Sequence, residues 1–211
     1  MKITVVRNQP LEIALHKQFS SLQKTLFLRY GSSSPLKPNL QVRNVTQTSV
    51  VLCWDTLEVG SADIHSLILY RNDVKAGVVP HASDIRTTKV SGLAVDADYT
   101  FTLKLRTSAG TLTSNEMLVR THKITDLTGL RICVAGLAEN KLVGISKVAA
   151  QIGAKIFEEV NVETTHCITE VGNHPVVRKA SELNIPIVSS DWIHACYQEG
   201  RVVGVKNFYP T

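Results

Sequence analysis

The 211-residue sequence predicts a multidomain chain: an N-terminal strand and amphipathic helix, an all-β sandwich, then an α/β unit built on a mainly parallel four-stranded sheet. Three changes of pattern predict it. Apolar residues recur at helical spacing up to Tyr30, at a period of two from Leu40, and as continuous runs alternating with helical segments from Leu130. The Ser- and Pro-rich stretch "GSSSPLKP" marks the first boundary, and the expected units are residues 1–36, 37–121 and 122–211.

In the first unit "KITVV" is strand-like, and Pro10 opens a helix whose apolar face is Leu11, Leu15, Phe19, Leu22, Leu26 and Tyr30. Gly31 follows as a C-cap. One strand and one helix cannot bury that stripe, so it packs against a neighbour. The same chain, a second copy and another protein all fit, and Phe19, Leu22 and Leu26 are the candidate partner-binding residues.

From Leu40, "TSVVLCW", "SLILYRN", "RTTKVSGL", "YTFTLKLRTSAG" and "TLTSNEMLVRT" follow one another at short spacing with no helix between them, which means a sandwich or barrel. Val50, Leu52 and Trp54 share one face. Leu93 and Tyr99 stand where a sandwich pins the corner before its F strand, the Tyr hydroxyl bonding back to the backbone. Together these residues resemble a fibronectin type III domain over about Pro38 to Thr121.

The third unit runs strand ("LRICVAGL"), helix ("LVGISKVAAQIG", ended by Gly153), strands ("AKIFEEV", "TTHCITE"), helix ("PVVRKASELN"), strand ("IPIVSS") and a final helix from Asp191. Apolar runs that do not alternate belong to strands covered on both faces. The order, with "IGAK", "TTHCI" and "IPIVSSDWIHAC", resembles the BRCT domain over about Leu127 to Tyr209. That resemblance implies that Trp192 is a core anchor. It also locates the place where phosphopeptide-reading members hold phosphate, with a Ser or Thr before a Gly and a Lys early in the second helix. Here those positions read Ala135, Gly136 and Val177, with Arg178 and Lys179 following, so the phosphate pocket is expected to be lost.

Net charge is +5, but it is unevenly placed. Residues 1–36 hold five Lys/Arg against one acid, residues 37–121 nine against eight, and residues 122–211 nine against nine. Neither folded unit carries the dense basic stripe of a DNA reader, so no nucleic-acid partner is expected. No run reaches the roughly 18 apolar residues of a membrane span. "MKITVVRNQP" lacks the apolar core of a secretory signal, so a cytosolic chain is expected. Cys53, Cys133, Cys167 and Cys196 form no C-x-x-C pair and are expected to be buried thiols, and the sequon at Asn44 is expected to be a turn.

No nucleophile elbow, P-loop, zinc-protease or dinucleotide motif occurs. His166 with Cys167, and His194 with Cys196, could be drawn as a metal cluster. The reading that places them on a strand and on an apolar helix face is preferred, so no catalytic residue, metal or cofactor is expected.

The whole arrangement, with "NVTQTSVVLCW", "GSADIHSLILYR", "GTLTSNEMLVRTHKITDLTG" and "GRVVGVKNFY", resembles the scaffold subunits of the fungal exomer. The resemblance implies a non-enzymatic scaffold of a cargo adaptor at the cytoplasmic face of the trans-Golgi network, peripheral to the membrane through its partners, serving export of membrane proteins such as chitin synthase. Implied partners are an Arf-family GTPase in its GTP state and tetratricopeptide-repeat cargo-binding subunits, with dimerisation through the N-terminal segment. Arg178, Lys179, Arg201 and Lys206 are the candidate GTPase-binding residues. In that family further strands precede the helix and a long polar tail follows; here one strand-like segment is present and the sequence stops at Thr211. The alternative is a nuclear BRCT-type interaction module of the DNA damage response. The connector "HKITDLTG" has one Gly, no Pro and apolar Ile124 and Leu127, which predicts a stiff join rather than a tether.

Overall fold

The computed structural model describes residues 35–210; the strand-like segment and helix expected at the N-terminus, with Phe19, Leu22 and Leu26, lie outside the described residues.

Eight strands make the sandwich: β1 (Leu40–Val45), β2 (Ser49–Trp54), β3 (Ile64–Arg71), β4 (Val74–Val79), β5 (Thr87–Ser91), β6 (Asp98–Thr107), β7 (Gly110–Thr113) and β8 (Met117–Arg120). One antiparallel sheet has the order β1-β2-β5, and the other β4-β3-β6-β7 with β8 also on β6. Val50, Leu52 and Trp54 from the small sheet meet Leu67, Leu69, Phe101, Leu103 and Leu105 from the large one, the face predicted by the period of two. The corner forms as expected: the Ala94 N–H donates to the Tyr99 hydroxyl at 2.8 Å, and Leu93 is buried. The side chain of Asn115, between β7 and β8, clasps both backbone groups of Leu40, accepting at 2.7 Å and donating at 2.9 Å, and so ties the two sheets along one edge.

Strand β4 has no counterpart among the sequence expectations. Its segment, VKAGVV, does not alternate, and the signal for it is the preceding turn, where Asn72 and Asp73 both have positive φ (48° and 62°), as a two-residue hairpin requires.

The second domain has four strands, β9 (Arg131–Ala135), β10 (Lys155–Phe157), β11 (His166–Thr169) and β12 (Ile187–Val188), in the order β10-β9-β11-β12. Every pairing is parallel, so the sheet is wholly rather than mainly parallel. Helices α1 (Glu139–Ile152) and α3 (Asp191–Glu199) pack on one face over Ile132, Ile168 and Val188. Helix α2 (Pro175–Glu182) covers the other through Ala180, against Cys133 and Cys167. Gly153 ends α1 at φ 70°, its N–H reaching the carbonyls of Ala149 and Ala150.

Candidate functional site

Two places in this architecture can carry function: the seam where the domains meet, and the mouth of the parallel sheet beyond the ends of β9 and β11.

The seam begins with a burial pattern that the sandwich alone does not explain. Val51 points away from Val50 and Leu52, toward the outer face of the small sheet, yet it is 1% exposed. The same face carries groups that reach the second domain. Lys89, opposite Val51 in β5, donates from Nζ to the Thr164 carbonyl at 3.0 Å. Arg43 pairs with Glu163, and Glu163 also faces Arg131 at 3.7 Å, so one carboxylate, 12% exposed, joins cations of both domains.

The connector is stitched on both sides. The His122 N–H donates to Thr46 O at 3.0 Å, and the Val202 N–H donates to Ile124 O at 3.1 Å. The Gln47 amide donates to Asp126 O, and the Asn44 amide donates to Gly129 O at 3.2 Å. Asn44 is therefore a buried joint residue rather than a turn residue. At Gly129 the backbones approach so closely that a Cβ would stand 2.2 Å from Val45 O. The stiff join expected from the connector is thus a hydrogen-bonded interface that includes a β-sheet face.

Within the seam lies a cavity of about 430 Å³ walled by Thr48, Lys89, Ser91, Ile124, His166 and Val202 among others. The His166 ring stacks on Trp192 with centroids 3.9 Å apart, while its Nδ1 is buried without a hydrogen-bond partner. Burial, with the charge of Lys89 added, pushes its pKa down to about 3, so the ring is neutral. Burial alone holds the Lys89 ammonium below the usual lysine range. Trp192 is fully buried and donates from Nε1 to Val203 O at 3.1 Å, the packing role expected of it.

At the sheet mouth, Ala135 is buried and offers no hydroxyl. Gly136 is exposed at φ 64°, and a Cβ there would touch Val171 Cγ2 at 3.3 Å and His174 Cδ2 at 3.5 Å. Glu170, which follows Thr169 at the level of Ala135, accepts from Lys141 Nζ at 2.6 Å and from the Ser190 hydroxyl at 2.9 Å. These bonds, Lys141 first, hold its carboxyl below the usual range. The mouth thus carries its own anion against its own cation. Val177 and Arg178 line a separate cleft of about 560 Å³ at the start of α2.

The four candidate GTPase contacts are divided. Arg178 and Lys179 are exposed on α2, on one face of the sheet. Arg201 and Lys206 are exposed beyond α3, on the opposite side, and Arg201 is paired with Glu199 at 2.5 Å. The four do not make one surface. Of the cysteines, Cys133, Cys167 and Cys196 are buried as expected, and Cys53, on the outer face of β2, is half-buried rather than buried. Cys133 and Cys167 are register partners across β9 and β11, and the bond from Cys133, then burial, drives the Cys167 thiol upward. Among the described residues no group of three or more His, Cys, Asp and Glu is placed to hold a metal ion, and no helix is long and apolar enough to cross a membrane.

Comparison with known proteins agrees with this architecture. A fibronectin type III domain model matches residues 33–121, and a twin BRCT domain model matches residues 130–192. Chitin biosynthesis protein CHS5 of Saccharomyces cerevisiae is 41% identical over 99% of this chain and 32% of its own length. Cell fusion protein cfr1 of Schizosaccharomyces pombe is 38% identical over 98% of this chain and 34% of its own. The chain therefore spans about a third of the length of these relatives. Among solved structures, the first BRCT domain of the DNA-repair protein XRCC1 aligns with 41% of this chain and 67% of its own at a TM-score of 0.37 and 21% identity, a likeness that carries nothing about function. The chain thus carries a fibronectin type III domain joined to a BRCT domain, and nearly its whole length is similar to a third of CHS5 and of cfr1.

Proposed function

We propose that this chain is a non-enzymatic scaffold of a membrane-protein export adaptor, acting in delivery of chitin synthase or similar cargo from the trans-Golgi network. The observation that supports it most is the kinship with a chitin biosynthesis protein across both domains and the joint between them. The architecture suits the role. Two binding folds are fused through buried polar contacts, so surfaces on either domain keep a fixed mutual orientation, as a scaffold needs when it presents several partners at once. On this reading an Arf-family GTPase in its GTP state recruits the chain, tetratricopeptide-repeat cargo subunits dock on the N-terminal segment, and membrane association is peripheral.

Flotation of the full chain with liposomes carrying GTP-loaded or GDP-loaded Arf tests this directly. Recruitment in the GTP state alone is expected; equal recruitment in both states would leave the reading without its switch. Charge reversal at Arg178 and Lys179, and separately at Arg201 and Lys206, then reports which face of the BRCT sheet the GTPase contacts. Because the two pairs lie on opposite faces, only one is expected to matter.

A further inference from the structure

We propose that the seam between the two domains is a docking groove for an extended, carboxylate-bearing peptide that adds to the open edge of β5 and sets its carboxylate on Lys89. The proposal is independent of the GTPase and cargo contacts above.

It starts from an unbalanced charge. Lys89 is half-buried, and its ammonium makes one hydrogen bond, to the neutral Thr164 carbonyl. No ion pair of Lys89 occurs among the described residues, and of the lysines there without one only Lys89 and Lys104 are half-buried, the Lys104 ammonium lying over the Tyr70 ring at 4.2 Å. A desolvated charge is ordinarily paired, because water taken from it must be replaced by something. Two of its three N–H groups are left over, and the side chain is the sole charged group lining the 430 Å³ cavity. Beside it the unpartnered Nδ1 of a neutral His166 faces the same shortage. The free N–H donors of Lys89 are therefore matched to an anion. The wall is largely polar (Thr48, Ser49, Ser91, Thr165, Asn184) with Ile124 and Val202 as apolar contacts, which suits a carboxylate carried on a peptide, whose backbone meets the polar groups and whose side chains meet the apolar ones.

The shape of the site says what that frame is. Among the described residues β5 pairs only with β2, so its other edge presents unused backbone donors and acceptors. A second cavity, of about 280 Å³, lies along that edge between β5 and β4, and Lys89 and Ser91 line both cavities. A strand laid along β5 would occupy the two cavities in turn, with backbone bonds supplying affinity and alternate side chains entering the seam. On β4, the far wall, Val78 is 53% exposed and offers the peptide an apolar contact.

The test uses the ¹⁵N-labelled full chain and two capped hexapeptides, acetyl-Thr-Val-Asp-Val-Thr-Val-amide and its Asn counterpart, followed by NMR titration. The Asp peptide is expected to shift the amides of residues 87–91, and the Asn peptide to bind roughly tenfold more weakly, the loss of one charge-assisted contact. In Lys89→Met the two peptides are expected to bind alike, and in Lys89→Arg the preference is expected to survive. Because Lys89→Met also removes the bond to Thr164, Ser91→Trp serves as a second variant: it blocks the groove from an exposed position and is expected to abolish binding with an unchanged melting curve. Equal binding of the two peptides, shifts confined to residues away from the seam, no shift at millimolar peptide, or the full effect reproduced by sodium acetate alone would each overturn the proposal.

Discussion

The domain seam and the sheet mouth both hold a lysine, yet they differ in how the lysine is satisfied. At the mouth, Lys141 meets both oxygens of Glu170, and Ser190 completes the set. At the seam, Lys89 meets a carbonyl and, among the described residues, nothing charged. The difference teaches that a cation in a cleft signals a ligand only when the chain does not supply the counter-ion itself. On that criterion the cation at the sheet mouth is satisfied from within, and among the described residues the one at the seam is not.

Four substitutions break or sharpen this contrast. The largest effect is expected from Gly129→Ala, whose methyl would stand 2.2 Å from a backbone oxygen of the other domain. The joint must open or shift, at a cost of roughly 2–4 kcal/mol. Thermal denaturation is expected to show it, together with new proteolytic cleavage between residues 122 and 129. Glu163→Gln follows, at about 1–2 kcal/mol, because Arg131 is left buried without its carboxylate while the more exposed Arg43 recovers water. Chemical denaturation should resolve it as a change in midpoint.

His166 gives the seam a pH dependence that begins near neutrality, whereas that of the mouth, from the lowered Glu170 carboxyl, is confined to acid pH. Its folded pKa, about 3, lies below the ordinary histidine value of 6.5, so the unfolded chain binds the extra proton. Stability is full above about pH 6.5 and declines as pH falls toward 3, with a loss of up to about 2 kcal/mol between pH 7 and pH 5. His166→Phe, which keeps a ring against Trp192, is expected to flatten that slope, and an unchanged slope would place its origin elsewhere. The smallest effect belongs to Glu170→Gln. Its ion pair with Lys141 is solvent-exposed, so the melting temperature is expected to stay within error of wild type. Phosphopeptide binding is not expected to appear, since Ala135 still offers no hydroxyl. If it did appear, internal neutralisation alone would have been closing the mouth.

Legibility in the sequence follows the range of the interactions. The Tyr99 corner spans five residues and was readable from "LAVDADY" together with the strands around it. The end of α1 at Gly153 was equally local. Strand β4 escaped because Ala76 and Gly77 blur its alternation, although the Asn72-Asp73 turn announced it. At the sheet mouth the missing hydroxyl of Ala135 is plain in the sequence, but the pairing of Glu170 is not, since its partners stand 29 and 20 residues away. The seam was the least legible. Asn44 and Gly129 are 85 apart, Lys89 and Thr164 are 75 apart, and each reads in sequence as an ordinary surface or turn residue. Only the stiffness of the connector hinted that a face of the sandwich would be covered.

The commitment of the Asn44 amide has a consequence for this sequence in another compartment. Its side-chain nitrogen, the atom to which an oligosaccharide would be attached, is bonded to Gly129 O inside the joint. A copy of this chain directed through the secretory pathway by an added leader would have to receive its sugar before the domains close. Glycosylated molecules would then be unable to close, and those that had closed would stay bare, so gel mobility alone would separate the two populations.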